Sequence, residues 1–313
     1  MKNILIITAL FPPEPVVSAR LSQDIAIALS VDNNVTVLCP FPTRPKGFSL
    51  KSNSYDTRYK CIRLKSYTNP SSVVFGRFRE SFSFGKYCQK YIYDNYQNID
   101  IIYLATWPLF AQYFVVKASK NYGIPIIIHV QDIYPESLTN KLTRIRSVVD
   151  SLLLPIDKFV LQNATKVIAI SESMKKHLSS SRNIYKAKIE VIQNWQDEKE
   201  FIEYSFHENN NSEDIKVFTF MYLGNIGPVA GVDLLIKSFS QLDVGNCRLV
   251  IAGSGSMKEK LKKMVLRMKL NSVHFLDVPD GKVPEIQHCS DVMLLPLTKG
   301  AASSSIPSKL PAY

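Results

Sequence analysis

Three stretches of small residues carry groups suited to holding phosphate. Gly224-Asn225-Ile226-Gly227-Pro228, with Gly231 three residues further on, stands between a short apolar run ending at Leu223 and a run with apolar residues at helical spacing. Gly253-Ser254-Gly255-Ser256 follows a second apolar run, and Ser303-Ser304-Ser305-Ile306-Pro307-Ser308-Lys309 lies near the end. Glycines let backbone come close to a phosphate, and a helix start presents N–H groups to it. Hydroxyls and the Lys309 ammonium add donors. Each stretch also has a plainer reading: a strand-to-helix turn for the first two, a surface loop for the third. GSGSMK alone is only part of a dinucleotide fingerprint.

Polar groups of another kind follow two strand candidates in the first half. Asp132 and Glu136 come directly after the buried run Ile124–Val130. Strand ends line the ligand crevice of open α/β sheets, which suits a working carboxylate. The alternative for Asp132 is a cap on the next turn. Glu14, Ser18 and Arg20 follow the first strand and could orient a substrate; a solvated loop with a helix cap is the other reading. His129 lies inside its strand and reads as core. The loop LFPPEPVVSAR after the first strand has no glycine. A nicotinamide-binding domain carries G-x-G-x-x-G there, so an oxidoreductase is disfavoured.

Apolar patterning supplies the elements that position these groups. Strands are expected at Ile4–Thr8, Val35–Cys39, Ile62–Leu64, Ile101–Leu104, Ile124–Val130, Val167–Ile170 and Ile189–Ile192. Helical patterns alternate with them: Leu21–Leu29, about Arg77 to Tyr93, Leu109–Lys120, Ser147–Gln162, and a short one capped by Ser171. The polar run HENNNSED, His207–Asp214, reads as linker. A second series follows, with strands at Val217–Leu223, Cys247–Ala252, Val273–Leu276 and Val292–Leu295. The chain therefore divides into a first domain over residues 1–204, a linker over 205–216 and a second domain over 217–313. Alternation of this kind makes parallel sheets with helices on both faces, and two such domains offer a cleft between their strand ends. The second domain is short for its class and is expected to be truncated.

The formal charge of +11 points to an anionic partner. Eleven basic residues fall between Arg44 and Lys90 against two acidic ones, interleaved with Phe75, Phe78, Phe82, Phe84 and Tyr87. That mixture suits an anionic membrane surface; no nucleic-acid motif accompanies it, and a solvated basic face over core aromatics is the plainer reading. No apolar run is long enough to span a bilayer. Five scattered cysteines fit a reducing cytoplasm and argue against zinc and disulfides.

Taken together, the PPE loop, NNVTVLCP, QDIYPES, IAISESMKKHL, VIQNWQDEKEF, YLGNIGPVAGVDLLIKSF, LVIAGSGSMKEKL, SDVMLLPLTKG and SIPSKLPAY resemble the retaining glycosyltransferases of family 4, in the order that family keeps them. QDIYPES, QNWQD, GNIG and SIPSKLPAY look closest to a bacterial branch with L-fucosamine-type transferases of O-antigen and capsule synthesis. The resemblance implies a GT-B fold: two Rossmann-like domains facing a cleft, here with the second incomplete. It implies a nucleotide-diphosphate sugar on the second domain, near Gly224, Asn225, Gly227, Gly253, Ser254, Val278, Ser308 and Lys309. Asp132 falls where the family keeps a catalytic or acceptor-contacting polar residue. Departures stand beside the match. Asn225 and Ala230 replace the Arg and Lys that many members place on the phosphates. The family's paired glutamates would fall at Ser304 and Ala312, and Val16 and Val17 replace glycines after the first strand.

The expected activity is transfer of a sugar, with retention, to a lipid-linked saccharide at the inner face of the plasma membrane, without a metal, another cofactor or nucleic acid. Acceptor contacts are expected from Glu14, Ser18, Arg20 and Glu136. The alternative is an inactive paralogue that binds a nucleotide or a partner.

Overall fold

A computed structural model describes residues 1–14, 16–43, 57–69, 74–105, 108–139, 146–195, 201–202, 217–228, 230–242, 245–279 and 281–296. The described chain falls into two compact units, one ending at Asn194 and the other starting at Trp195. The expected linker over 205–216 lies outside the described residues, as does the loop with Ser308 and Lys309.

The first unit is a doubly wound α/β domain. Its strands are β1 (Asn3–Ile7), β2 (Asn34–Pro40), β3 (Lys60–Leu64), β4 (Ile101–Ala105), β5 (Ile126–Val130), β6 (Lys166–Ala169) and β7 (Ile189–Val191). All pair in parallel, in the order β3-β2-β1-β4-β5-β6-β7. The helices between them are α1 (Val17–Ser30), α2 (Val74–Asn95), α3 (Leu109–Tyr122), the short α4 (Glu136–Thr139), α5 (Arg146–Asn163) and α6 (Glu172–Arg182).

The central strands β1, β4 and β5 are apolar at nearly every position because both faces are covered. Leu5, Ile7, Leu38, Leu104, Ile126 and Ile128 belong to one core cluster. Their neighbours Ile4, Ile6, Val37, Tyr103 and Ala105 belong to another. This is the two-residue alternation of a strand with each half buried separately. Ser171 caps α6 as expected, its Oγ accepting the Met174 N–H at 3.1 Å.

The second unit repeats the plan on a smaller scale. Strands β8 (Phe218–Leu223), β9 (Cys247–Ala252), β10 (Val273–Leu276) and β11 (Val292–Met293) form a parallel sheet in the order β10-β9-β8-β11. Helix α7 (Val232–Phe239) follows β8, α8 (Lys258–Arg267) follows β9, and α9 (Val283–His288) precedes β11. Tyr222, Leu249, Ile251 and Val273 pack with Ile236, Phe239 and Leu261 in one cluster. Met221, Val250 and Ala252 face the other way.

Candidate functional site

In the second unit, β8, β9 and β10 lie side by side, so their C-terminal ends share one edge. Gly224 and Gly253 follow directly from the ends of β8 and β9, and Val278 stands two residues past the end of β10. The two glycine loops are bonded to one another. The Ile226 N–H donates to the Ser254 carbonyl at 2.7 Å, and the Met257 N–H donates back to the Ile226 carbonyl at 3.0 Å. Ile226 is wholly buried between them.

This contact changes the reason for the glycines. Gly253 has φ +133°, and a β-carbon there would sit 2.1 Å from the Gly224 oxygen. At Gly255, φ is +152° and a β-carbon would lie 2.4 Å from the Ile226 oxygen. Both glycines are therefore required by loop-on-loop packing and left-handed backbone, whatever binds above them. Gly227 is different. A β-carbon on it would meet only the Asn225 side chain, at 3.2 Å. No backbone crowds that position, and the end of the Asn225 side chain need give only a few tenths of an ångström.

Backbone donors are present at the same edge. The N–H groups of Asn225 and Gly227 take no carbonyl partner among the described residues. The Asn225 carbonyl accepts from the Tyr222 hydroxyl at 2.7 Å, which holds the peptide in place. Lys258, at the start of α8, reaches the Gly253 carbonyl at 2.8 Å and Asp277 at 2.5 Å. Ser254 is exposed, and Val278 packs on the cluster of Met221, Val250 and Ala252.

In the first unit, the chain reverses direction across the sheet between β1 and β4. Ligands in open α/β sheets bind at such a point, beyond the strand ends. A pocket of about 240 Å³ lies there, lined by Thr8, Ala9, Leu10, Val16, Ser18, Ser22, Arg77, Ala105, Gln131 and Asp132. The strand order β1-β4-β5 brings Thr8, Ala105 and Gln131, each at or just past a strand end, to one place. Thr8 orders the rim, its Oγ1 bonding the Leu10 carbonyl at 2.9 Å and the Ser22 Oγ at 3.1 Å.

Of the sequence candidates in this half, Ser18 and Asp132 line the pocket. Arg20 is exposed on α1 and does not line it. Glu14 is buried, and its Oε1 accepts the Thr43 N–H at 3.0 Å. Glu136 is drawn into a structural network. The fully buried Arg182 donates to Glu136 Oε1 and Oε2 at 2.6 Å each, to Asp157 Oδ2 at 2.7 Å and to the Tyr134 carbonyl. Burial would raise the Glu136 carboxyl, but the hydrogen bonds and charge of Arg182 more than offset it, and its pKa is lowered. His129 is core, as its place in the strand implied: it is buried, and Nδ1 meets the Tyr103 hydroxyl at 2.6 Å.

Two protein-family models match consecutive parts of this chain. "Glycosyltransferase Family 4" covers residues 20–200, and "Glycosyl transferases group 1" covers residues 203–306. The chain belongs to glycosyltransferase family 4. A curated relative, the uncharacterized glycosyltransferase MJ1607 of Methanocaldococcus jannaschii, is 30% identical over 142 residues. That match takes in 42% of this chain and 36% of the relative, so the chain spans about a third of its length. Among solved structures, sucrose-phosphate synthase from Thermosynechococcus elongatus superposes with a TM-score of 0.70 at 15% identity, over 95% of this chain and 76% of that one. Anabaena Alr3699/HepE, solved in complex with UDP, gives a TM-score of 0.63 at 15% identity, over 95% and 74%. These likenesses establish the GT-B fold.

For a family 4 chain, the pocket adds Thr8, Ser22, Arg77 and Gln131 to what the sequence reading singled out at this place. Thr8 and Gln131 stand one residue past Ile7 and Val130, so strand ends alone could have found them. Arg77 is 69 positions from Thr8 in the chain, and only the docking of α2 brings it in. No sequence spacing signals that.

Proposed function

We propose that this chain moves a sugar from a nucleotide-diphosphate donor to a lipid-linked saccharide, with retention of anomeric configuration, in the synthesis of a bacterial surface polysaccharide such as O-antigen or capsule. The observation that carries the reading is the shared edge of the second unit. Two mutually bonded glycine loops stand beside open backbone N–H groups there, in a family 4 chain. Family-like motifs support the donor side, and so does the GT-B likeness to a protein solved with UDP.

On this reading, the N–H groups of Asn225 and Gly227 take the diphosphate, with Gly224, Gly253 and Ser254 shaping its bed and Val278 beside the nucleotide. Ser308 and Lys309, outside the described residues, join them by resemblance alone. The chemistry asks mainly for charge stabilisation on the departing diphosphate, which fixed donors supply without reorganisation. The acceptor enters the first unit's pocket, whose hydroxyl, amide, guanidinium and carboxylate groups match a saccharide's hydroxyls. Asp132 orients the attacking hydroxyl or receives its proton. Ser18 and Arg77 hold the acceptor, and Arg20 stands outside the pocket rim. Glu14 and Glu136 serve as supports, each already engaged by the fold.

The protein sits peripherally on the cytoplasmic face of the plasma membrane. Among the described residues no helix is long and apolar enough to cross a membrane. Helix α2 instead exposes Phe75, Arg79, Phe82, Lys86, Lys90 and Tyr93 along one side, while Phe84 is core. Such a face binds anionic headgroups. Vesicle flotation should rise with acidic lipid and fall with salt; equal flotation on neutral vesicles would remove the electrostatic attachment.

The transfer reading is tested by supplying a panel of nucleotide-diphosphate sugars with a lipid-linked saccharide and measuring diphosphate release and product anomer. Asp132→Asn should leave donor affinity unchanged and lower transfer by about a hundredfold or more. Full turnover in that variant would return Asp132 to a turn cap. Nucleotide binding without transfer to any acceptor would favour a nucleotide-binding protein, and an inverted product would exclude retention.

A further inference from the structure

The five cysteines are scattered in sequence, yet parallel pairing of β2 with β3 brings two of them together. Cys61 stands opposite Val37 and Cys39 opposite Arg63, so all four side chains share one face of the sheet. Cys39 Sγ and Cys61 Sγ are 3.7 Å apart. The two thiols are unequal. Cys39 is buried, and Cys61 is exposed on the edge strand β3. Arg63 is held beside them by its bonds to the Pro40 carbonyl, at 3.1 Å, and to the Pro12 carbonyl. The hydrogen bond from Cys39 brings the Cys61 thiol down to about 7 against its own burial, with help from the Arg63 charge. The same bond, together with burial, pushes Cys39 far up.

We propose that Cys61 and Cys39 form a reversible thiol–disulfide site, with exposed Cys61 as the attacking sulfur and buried Cys39 as the resolving one. An accessible thiolate next to a second cysteine is the arrangement of redox-sensing pairs. The oxidant is a low-molecular-weight disulfide such as glutathione disulfide. Cys61 thiolate attacks one of its sulfurs, the S–S bond breaks, and one glutathione leaves as thiolate with a mixed disulfide on Cys61. Cys39 then loses its proton to that thiolate or to solvent and attacks the Cys61 sulfur, releasing the second glutathione. Two protein thiols are oxidised, and one small disulfide is reduced to two thiols. The sulfurs must close from 3.7 Å to a bonded distance of about 2.05 Å, and because the two cysteines stand diagonally in the register, the edge strand β3 shifts toward β2 as the bond forms. The bond would tie edge strand β3 to β2 beside Arg63, which grips the Pro12 carbonyl in the loop leading to Val16 and Ser18 of the pocket. The site is independent of the transferase reading.

The test exposes the full chain to mixtures of glutathione and glutathione disulfide at neutral pH, followed by acid quenching, alkylation and peptide mass spectrometry. Two of the five cysteines should be lost to alkylation and recovered as a Cys39–Cys61 linked peptide, restored by reductant. Cys39→Ser should accumulate one glutathione on Cys61. In Cys61→Ser, adduct formation on Cys39 should be slower by about tenfold or more, because Cys39 is buried and burial alone still holds its thiol above an ordinary one, whereas exposed Cys61 is brought down to about 7. A wild-type chain that keeps glutathione on Cys61 with Cys39 still alkylatable, or that stays fully reduced while its other cysteines react, would overturn the proposal.

Discussion

A β-carbon on Gly253 would lie 2.1 Å from the carbonyl oxygen of Gly224, two residues 29 apart in sequence that close the two glycine loops against each other. Gly253→Ala must therefore shift backbone and also adopt φ near +133°. Strain of this kind costs about 1–3 kcal/mol, and the overpacking a further ~1–3. Urea melts should show the second unit destabilised by at least about 2 kcal/mol. A melt unchanged from wild type would mean that the loops do not touch as described.

Arg182 is the hub of the first unit's buried polar network. Removing it leaves Asp157, itself almost fully buried, and Glu136 without their cation. Breaking a buried pair from one side costs about 3–5 kcal/mol. Arg182→Met should lose that much stability, while Glu136→Gln, which keeps acceptor and donor groups in the half-exposed position, should lose clearly less. Equal losses would place the main partnership at Glu136.

His129 gives the first unit a defined pH response. Burial pushes its pKa down to about 4, against about 6.5 in the unfolded chain. The unfolded state therefore binds more protons between these values, and stability rises with pH there. The contribution is fully present above pH 6.5, and it is lost as pH falls toward 4. Its size is about 3 kcal/mol at most. His129→Asn keeps an acceptor near the Tyr103 hydroxyl without the titration. Denaturant melts from pH 4 to 7 should show a flatter pH dependence for that variant, and parallel curves would show that His129 is not the group responsible.

Much of the fold was legible because the central strands are buried on both faces and read as apolar runs such as Ile4–Ile7. The Ser171 cap was legible because capping is local. The glycine loops were found for a reason that proved incomplete. Their pattern reports backbone packed on backbone at Gly253 and Gly255, whereas Gly227 meets only a side chain, that of Asn225. Glu136 was read as a ligand contact because its partner Arg182 stands 46 residues away. Arg77 and the Cys39–Cys61 pair went unseen in the same way. What long-range pairing brings together has no local signature.

The most direct measurement is calorimetric titration of the full chain with uridine, guanosine, adenosine and thymidine diphosphates, on wild type and Gly227→Val. A β-carbon at Gly227 meets only the end of the Asn225 side chain, which must swing aside by a few tenths of an ångström, so valine should lower the melting temperature far less than a substitution at Gly253 while blocking a phosphate that approaches the loop. One diphosphate is expected to bind wild type and to lose about a hundredfold or more in affinity to the variant. Equal affinity in the two proteins, or no binding of any of the four to wild type, would contradict a donor site at this edge.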